Sequence, residues 1–360
     1  MCRDRASGIR GKCHMIRNLL RILVAVLATQ APVTAQEAVE LVPAAAGEAA
    51  TALVVRSTTD YLILRPALQA FVAKNPMVSV IYEQWGSNAL YANSLSACKG
   101  EVAQADAVFS SAIHQMVDLV NRACASPYRS DLTAALAPSR IWRDELWGVT
   151  HEAAVIIYNT SLVPESEVPR TRFALLDLMR QRGQTYQDKI ATYDIEASGL
   201  GYLFAFADSL EATTFGALLE GFARSRAIAT CCSAEIIKRV ATGRYLIAYN
   251  VLGSYVDAIA SENIGVIKPE DYTLFLSRAY MIPRGARNPA ASADLLDFLL
   301  SSEGQSVLAK SKLVDLEDSE ATGLPISARR DIRIEPTLLV AGDQHRRLRL
   351  IGQWRSTFKK

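Results

Sequence analysis

The chain has 360 residues, half of them hydrophobic, with 39 Lys+Arg against 37 Asp+Glu and a formal net charge of +2. That length supports one large domain or two medium lobes with true cores, and it excludes a disulfide-stapled mini-protein or a disordered charged tail. A near-neutral balance lacks the clustered basic excess with which duplex binders neutralise phosphate, so no nucleic-acid partner is expected.

The charge is unevenly spread. From Met15 the chain reads MIRNLLRILVAVLATQAPVTAQ: Arg17 and Arg21, an apolar run over 22–28, then Val33-Thr34-Ala35. This is the pattern of a secretory signal peptide cut near Ala35, with Met15 as an alternative start. The run is shorter than the roughly 20 apolar residues that span a bilayer, and no later segment does better. An exported, periplasmic protein that is not membrane-embedded is therefore expected. Residues 1–35 hold six Lys/Arg and one acid, so the rest of the chain has 33 against 36 and a net charge of −3.

Cys98, Cys124, Cys231 and Cys232 lie beyond that segment. In an oxidising compartment Cys98 and Cys124 either close a loop or remain two buried thiols. The adjacent Cys231 and Cys232 are not expected to pair with each other. No CxxC or Cys/His spacing points to zinc, and His114, His151 and His345 are scattered, so no metal and no cofactor is expected.

Residues 36–50, Ala/Glu-rich without periodicity, are expected to form a flexible leader. A strand is expected at 53–55, a helix at 66–74 with Pro66 in its first turn, a strand at 78–82 and a helix at 89–98. A short strand at 105–109 and a helix at 113–123 complete a parallel βα pattern. The second half repeats it: a strand at 153–158, a helix at 173–180, a strand at 189–193, a helix from Gly199 to 206, a helix at 234–242 and a strand at 245–249. Residues 271–282 read as extended. Helices are expected at 290–300, 303–310 and about 342–354, the last with Leu348, Ile351 and Trp354 on its packed face and a solvated arginine face. Two such sets imply two lobes, with crossings at 153–158 and 274–282.

In parallel α/β lobes ligands lie at the carboxyl ends of strands, against helix N-termini that favour anions. The strand ends here are rich in hydroxyl and amide groups: Ser57-Thr58-Thr59, Trp85-Gly86-Ser87-Asn88, Ser110-Ser111, Tyr193-Asp194 with Ser198-Gly199, and Tyr249-Asn250 with Ser254-Tyr255. Each alone is an ordinary helix cap; together, in both halves, they point to a cleft. No GxSxG elbow or P-loop is present, and Gly199-Leu200-Gly201 lacks the rest of a dinucleotide fingerprint. His151-Glu152 is the one acid/base pair an enzyme reading has, and adjacent residues on a strand face opposite ways.

The stretch Trp142-Arg143-Asp144-Glu145-Leu146-Trp147-Gly148-Val149-Thr150-His151-Glu152, followed by Val155-Ile156-Ile157-Tyr158-Asn159, resembles the entry into the second lobe of type 2 periplasmic solute-binding proteins. Tyr193-Asp194 with Ser198-Gly199-Leu200-Gly201, Ala248-Tyr249-Asn250, Ile282-Pro283-Arg284-Gly285 and Phe298-Leu299-Leu300-Ser301-Ser302-Glu303-Gly304-Gln305 are similar to later segments of that family. The resemblance covers roughly 52–310. It implies an α/β fold of two lobes, a two-segment hinge and a ligand cleft between lobes, with 51–152 plus 279–360 as lobe one and 153–278 as lobe two. It is nearest the ferric-iron and organophosphate branch. Iron binders of that branch use a Tyr-Tyr pair, absent here because Asn250 follows Tyr249, so the resemblance implies a non-enzymatic, monomeric binder of a small anionic metabolite, phosphorylated or carboxylated. Its partner is an ABC-transporter permease or a sensor kinase. The expected ligand residues are Ser57, Thr58, Thr59, Trp85, Ser110 and Ser111 from lobe one, Glu152 and Arg278 at the hinge, and Ser198, Gly199, Asn250 and Ser254 from lobe two, with Arg56 or Arg278 as charge partner. The alternatives are a ferric-iron binder of the same fold and an enzyme using Glu152 and His151.

Overall fold

Residues 36–211, 213–259, 261–314 and 324–358 are described in this computed structural model; the expected signal peptide lies outside them. The first half builds β1 (Gln36–Val42), β2 (Thr51–Ser57), α1 (Tyr61–Lys74), β3 (Val78–Trp85), α2 (Ser87–Cys98), β4 (Ala107–Ser110) and α3 (Ile113–Asn121). β2 runs parallel to both β3 and β4, as the βα pattern requires. The expected flexible leader instead forms β1, antiparallel along the edge of β3. Its side chains, largely exposed whether polar or apolar, give no periodic signal, and the backbone groups that face β3 are paired with it.

α1 starts at Tyr61, so Pro66 lies inside the helix and not in its first turn. Pro66 and Leu62 are both exposed, which lets water satisfy the Leu62 carbonyl that proline leaves without a donor. The opposite face buries Ile63, Leu64, Ala67, Leu68, Phe71 and Val72. A disulfide joins Cys98 to Cys124 with the Cα atoms 5.3 Å apart, deciding between bond and buried thiols. Closing such a loop stabilises by about 3–4 kcal/mol.

After α4 (Asp131–Ala134), the short β5 (Ile141–Trp142) and β6 (Leu146–Gly148) complete the first sheet, whose order is β1-β3-β2-β4 followed by the later strand β13 (Ala279–Met281), then β6-β5. The chain then enters a second sheet at β7 (Glu152–Asn159) and continues through α5 (Arg172–Gln181), β8 (Ile190–Tyr193), α6 (Gly199–Glu211) and α7 (Phe215–Arg224). β9 (Ile228–Thr230), α8 (Ser233–Ala241), β10 (Ile247–Leu252), α9 (Ser254–Ile259), β11 (Ile264–Ile267) and β12 (Thr273–Leu276) follow. Strands change sheet between Gly148 and Glu152 and between Leu276 and Ala279. The two passages are bonded to each other: the Val149 N–H donates to the Arg278 carbonyl at 2.9 Å and the Arg278 N–H donates to Thr150 Oγ1 at 2.8 Å. This is a two-segment hinge. The first passage falls just ahead of the expected 153–158.

α10 (Pro289–Leu300) and α11 (Ser302–Lys310) follow β13, and Lys74 of α1 pairs with Glu303 of α11. The remainder of the chain does not stay with the first sheet: β14 (Arg329–Ile332) pairs parallel with β12 of the second sheet, and α12 (Gln344–Phe358) buries Leu350, Ile351 and Trp354 in the core beneath α5, α6 and α7. Leu348, expected on the packed face, is 57% exposed. Among the described residues no helix is long and apolar enough to cross a membrane.

His114 on α3 is buried against the Tyr202 ring, and its Nδ1 has no hydrogen-bond partner. Burial, with Arg347 adding to it, pulls its pKa from 6.5 down to about 3. Between those values the unfolded chain binds a proton that the folded chain refuses, so stability falls as pH drops from 6.5 toward 3. We expect His114→Phe to remove up to about 1.4 kcal/mol per pH unit from the slope of stability against pH across that window, read by urea denaturation of both proteins.

Candidate ligand-binding site

The carboxyl ends of β2, β3 and β4 face the second sheet's β8, β9 and β10 across a cavity of about 340 Å³. The first half contributes Glu37, Thr58, Asp60, Gln84, Trp85, Ser87 and Ser111, and the second Tyr193, Ser198, Leu200, Cys231, Cys232, Ser233, Glu235, Leu252 and Tyr255.

Local backbone chemistry explains which hydroxyl of each strand-end pair reaches it. Ser57 Oγ accepts the Thr59 N–H at 3.0 Å, and Ser110 Oγ accepts the Ala112 N–H at 3.1 Å. The first hydroxyl of each pair thus turns the chain as it leaves the strand. The second one, Thr58 or Ser111, faces the cavity, the two hydroxyls lying 3.2 Å apart. Thr59 is fully buried behind them, its hydroxyl accepting from Arg278 at 2.9 Å.

Three helices begin at the cavity. α2 starts at Ser87, with no side chain capping it. α6 starts at Gly199, and its first turn is capped by Ser198 Oγ, which accepts the Gly201 N–H at 3.0 Å. α8 starts at Ser233, after Cys232, again with no side-chain cap. The Gly199 N–H donates to Ser87 Oγ at 2.8 Å, and Asn88 Nδ2 donates to the Glu196 carbonyl at 2.8 Å, so the start of α6 bridges to α2 across the cavity. A Cβ on Gly199 would sit 2.7 Å from the side-chain amide of Gln115 on α3, which would have to move to admit one.

The expected hinge residues are paired with each other and do not line the cavity. Arg278 and Glu152 are 0% and 1% exposed. The guanidinium donates from Nε to Glu152 Oε1 at 2.7 Å and from Nη2 to Oε2 at 3.1 Å. Thr150 and Ser254 donate to the same carboxylate at 2.8 and 2.6 Å, which spends Ser254 as well. Burial alone would favour a neutral Arg278, yet Glu152 raises its pKa above the ordinary arginine value. Arg56 is likewise committed, to Glu83 at 2.7 Å, Asn93 and the Ala103 carbonyl. Asn250 lies deeper, its Nδ2 donating to buried Asp208 at 2.6 Å. His151 stacks on Phe275 and faces Asp331, away from Glu152's partners.

Of the expected site residues, Thr58, Trp85, Ser111 and Ser198 line the cavity; Ser57, Thr59, Ser110 and Gly199 shape the backbone around it; Glu152, Asn250, Ser254 and Arg278 lie behind it. Ser87, Tyr193 and Tyr255, named at the strand ends but not among the expected ligand residues, also line it, as do Asp60 and Ser233. Their signal was positional, since each stands at or beside a strand end. Cys231 and Cys232 are bonded to one another, contrary to expectation.

The lining carries three carboxylates, Glu37 and Asp60 from the first half and Glu235 from the second. Burial raises the Asp60 carboxyl above its ordinary pKa, Arg278 opposes this and Glu37 adds to it. Gln84 Nε2 donates to Glu37 at 3.0 Å, and Tyr255 reaches Asp60 Oδ1 at 3.4 Å. Burial also pushes Tyr193 up to about 12 and Tyr255 higher still, so both phenols stay protonated. Among the described residues no group of three or more His, Cys, Asp and Glu is placed to hold a metal ion.

No curated protein sequence matches this chain. Solved structures do. The substrate-binding protein of an ABC transporter from Agrobacterium tumefaciens is 28% identical, with a TM-score of 0.84 over 90% of this chain and 99% of that one. The apo ferric ion-binding protein A of Pasteurella haemolytica is 18% identical, with a TM-score of 0.66 over 86% and 99%. The periplasmic binding protein AfuA of Actinobacillus pleuropneumoniae, solved with fructose-6-phosphate, is 17% identical, with a TM-score of 0.64 over 86% and 99%. The two last share the fold. A family model described as bacterial extracellular solute-binding protein matches residues 103–330, and the chain belongs to that family.

Proposed function

We propose that this protein is the non-enzymatic, periplasmic ligand-capturing component of an ABC-type importer, binding a small hydroxylated anion such as a sugar phosphate as a monomer and delivering it to the permease. The observation that supports this most is the convergence of the starts of α2, α6 and α8 with the hydroxyls of Thr58, Ser111, Ser233 and Tyr255 on one cavity. Helix starts offer N–H groups and the positive end of the dipole to an anionic group. Asp60 and Glu37, the latter with Oε1 beside the start of α2, accept hydrogen bonds from hydroxyls of a polyol. The cavity's volume falls within the range of about 300–1,000 Å³ usual for small-molecule sites.

The lobes that close are, on this reading, 36–148 with 279–314 and 152–276 with 329–358. Contacts completed only when both lobes meet the solute supply the free energy that favours closure. The iron alternative fares worse on this reading because the neighbouring Tyr-Tyr pair that the resemblance associates with iron binders is missing, Asn250 following Tyr249. The enzyme alternative loses its base, since Glu152 is committed to Arg278.

The test is thermal denaturation with fructose 6-phosphate, glucose 6-phosphate, inorganic phosphate, small dicarboxylates and Fe(III). A ligand at a hundred times its Kd adds about 2.7 kcal/mol, a rise in Tm of roughly 5 °C. We expect a phosphorylated sugar to do this. Stabilisation by Fe(III) alone, with a visible charge-transfer band, would overturn the ligand class. Ser111→Trp fills the cavity and should abolish the rise; because Ser111 is 3% exposed, the ligand-free Tm should fall by a few degrees while a cooperative transition shows that the variant still folds.

A further inference from the structure

Cys231 and Cys232 are consecutive, and the bond between their sulfurs closes a ring through the intervening peptide. Both are exposed, and both line the cavity. They form the whole connection between β9 and α8, so their conformation aims the first turn of that helix. Cys232, immediately before α8, has φ 67° and ψ 122°, a left-handed backbone that residues other than glycine seldom adopt unaided. The ring encloses this residue. Ser233 follows directly, and its hydroxyl is bonded to Tyr193, another cavity residue, at 2.5 Å. The other disulfide is differently placed: Cys124 is 2% exposed and belongs to the core of the first half.

We propose that Cys231–Cys232 is a thiol–disulfide exchange site in the wall of the solute cavity, reduced by an external dithiol, and that its reduction releases the first turn of α8 and weakens solute binding. The effect on binding rests on the function proposed above; the exchange does not. A thiolate of the dithiol attacks one of the two sulfurs, the Cys231–Cys232 bond breaks, and a mixed disulfide forms. The dithiol's second thiolate then displaces the protein sulfur. Two electrons end on the two cysteines, which take up the two protons the dithiol's thiols released, and the reductant departs as a disulfide. With the ring open, Cys232 relaxes to negative φ and the N–H groups of Ser233, Ala234 and Glu235 lose their fixed direction.

The full chain, purified oxidised, is titrated with dithiothreitol. Alkylation with peptide mass mapping reads which cysteines open, hydrogen exchange reads residues 233–236, and a fructose 6-phosphate titration reads binding. We expect Cys231 and Cys232 to alkylate at lower dithiol than Cys98 and Cys124, and exchange at 233–236 to quicken. Affinity should fall roughly tenfold, the worth of one or two hydrogen bonds. Cys231→Ser/Cys232→Ser should reproduce the reduced state without dithiol, and Cys98→Ser/Cys124→Ser should retain the dithiol response. Equal reduction of both disulfides, or unchanged exchange at 233–236 once Cys231 and Cys232 are alkylated, overturns the proposal. Oxidised protein that ignores fructose 6-phosphate and the other sugar phosphates counts against the ligand reading alone, because alkylation and exchange still decide the thiol chemistry.

Discussion

Glu152→Ala will destabilise the protein by about 3–5 kcal/mol, because it strands a fully buried guanidinium whose carboxylate partner has gone. The hydroxyls of Thr150 and Ser254 lose their acceptor in the same step. Glu152→Met/Arg278→Met, which removes both charges and keeps the volume, should recover most of that loss, since an apolar pair of similar size avoids the desolvation of two ions. Urea denaturation of wild type, both single variants and the double variant measures the coupling. The network also spans the molecule: Thr59 follows β2 of the first sheet, Ser254 follows β10 of the second, and Arg278 lies in a hinge passage. The double variant should therefore regain stability while closing less completely on ligand, read as a weaker response to fructose 6-phosphate. A single variant costing under about 1 kcal/mol would show that the pair is solvated in solution, as surface pairs are.

Asp208→Ala should cost as much, about 3–5 kcal/mol, with a different consequence. Asp208 is 1% exposed and accepts from Tyr249 Oη and Tyr272 Oη at 2.7 Å each, from Asn250 Nδ2 at 2.6 Å, and from Arg172 at 3.3 Å. The Arg172 guanidinium lies 3.5 Å from the centre of the Tyr272 ring and also pairs with Asp271. Burial alone would lower the Arg172 pKa, and the groups around it raise it instead. Removing Asp208 leaves one buried cation short of a carboxylate and three donors without an acceptor. None of the four donor residues lines the cavity. The variant should thus lower the denaturation midpoint while the folded fraction binds ligand with wild-type affinity. Loss of affinity in fully folded Asp208→Ala would place this cluster in the recognition machinery.

These two carboxylates show where reading the sequence succeeded and where it stopped. The residues 153–158 read as a strand because β7 is buried on both faces, which leaves an unbroken apolar run. α1 and α10 were legible because their buried positions recur every three to four residues. By contrast, β1 and β14 are largely exposed edge elements paired with a strand distant in sequence, so no alternation of buried and exposed positions marks them. The expected residues stand at the strand ends that border the cavity, but the sequence did not separate those that face it from their neighbours. Whether Ser57 or Thr58 reaches the cavity depends on which hydroxyl the backbone uses to turn, and that is a matter of φ and ψ at the strand's end.

Composition and the βα rhythm by themselves pointed to two α/β lobes and the hydroxyl-rich strand ends to a cleft, because burial and strand polarity act on neighbouring residues; the solute-binding reading came from the resemblance of longer segments. Only the tertiary structure decided that Arg278 serves Glu152 and not the solute, since those residues are 126 positions apart in the chain. The same holds for the ring at Cys231 and Cys232, whose place in the cavity wall depends on β9 and α8 being brought opposite β3. Which partner a charge or a sulfur faces is set by contacts between elements distant in sequence, and these exist only once both sheets have packed.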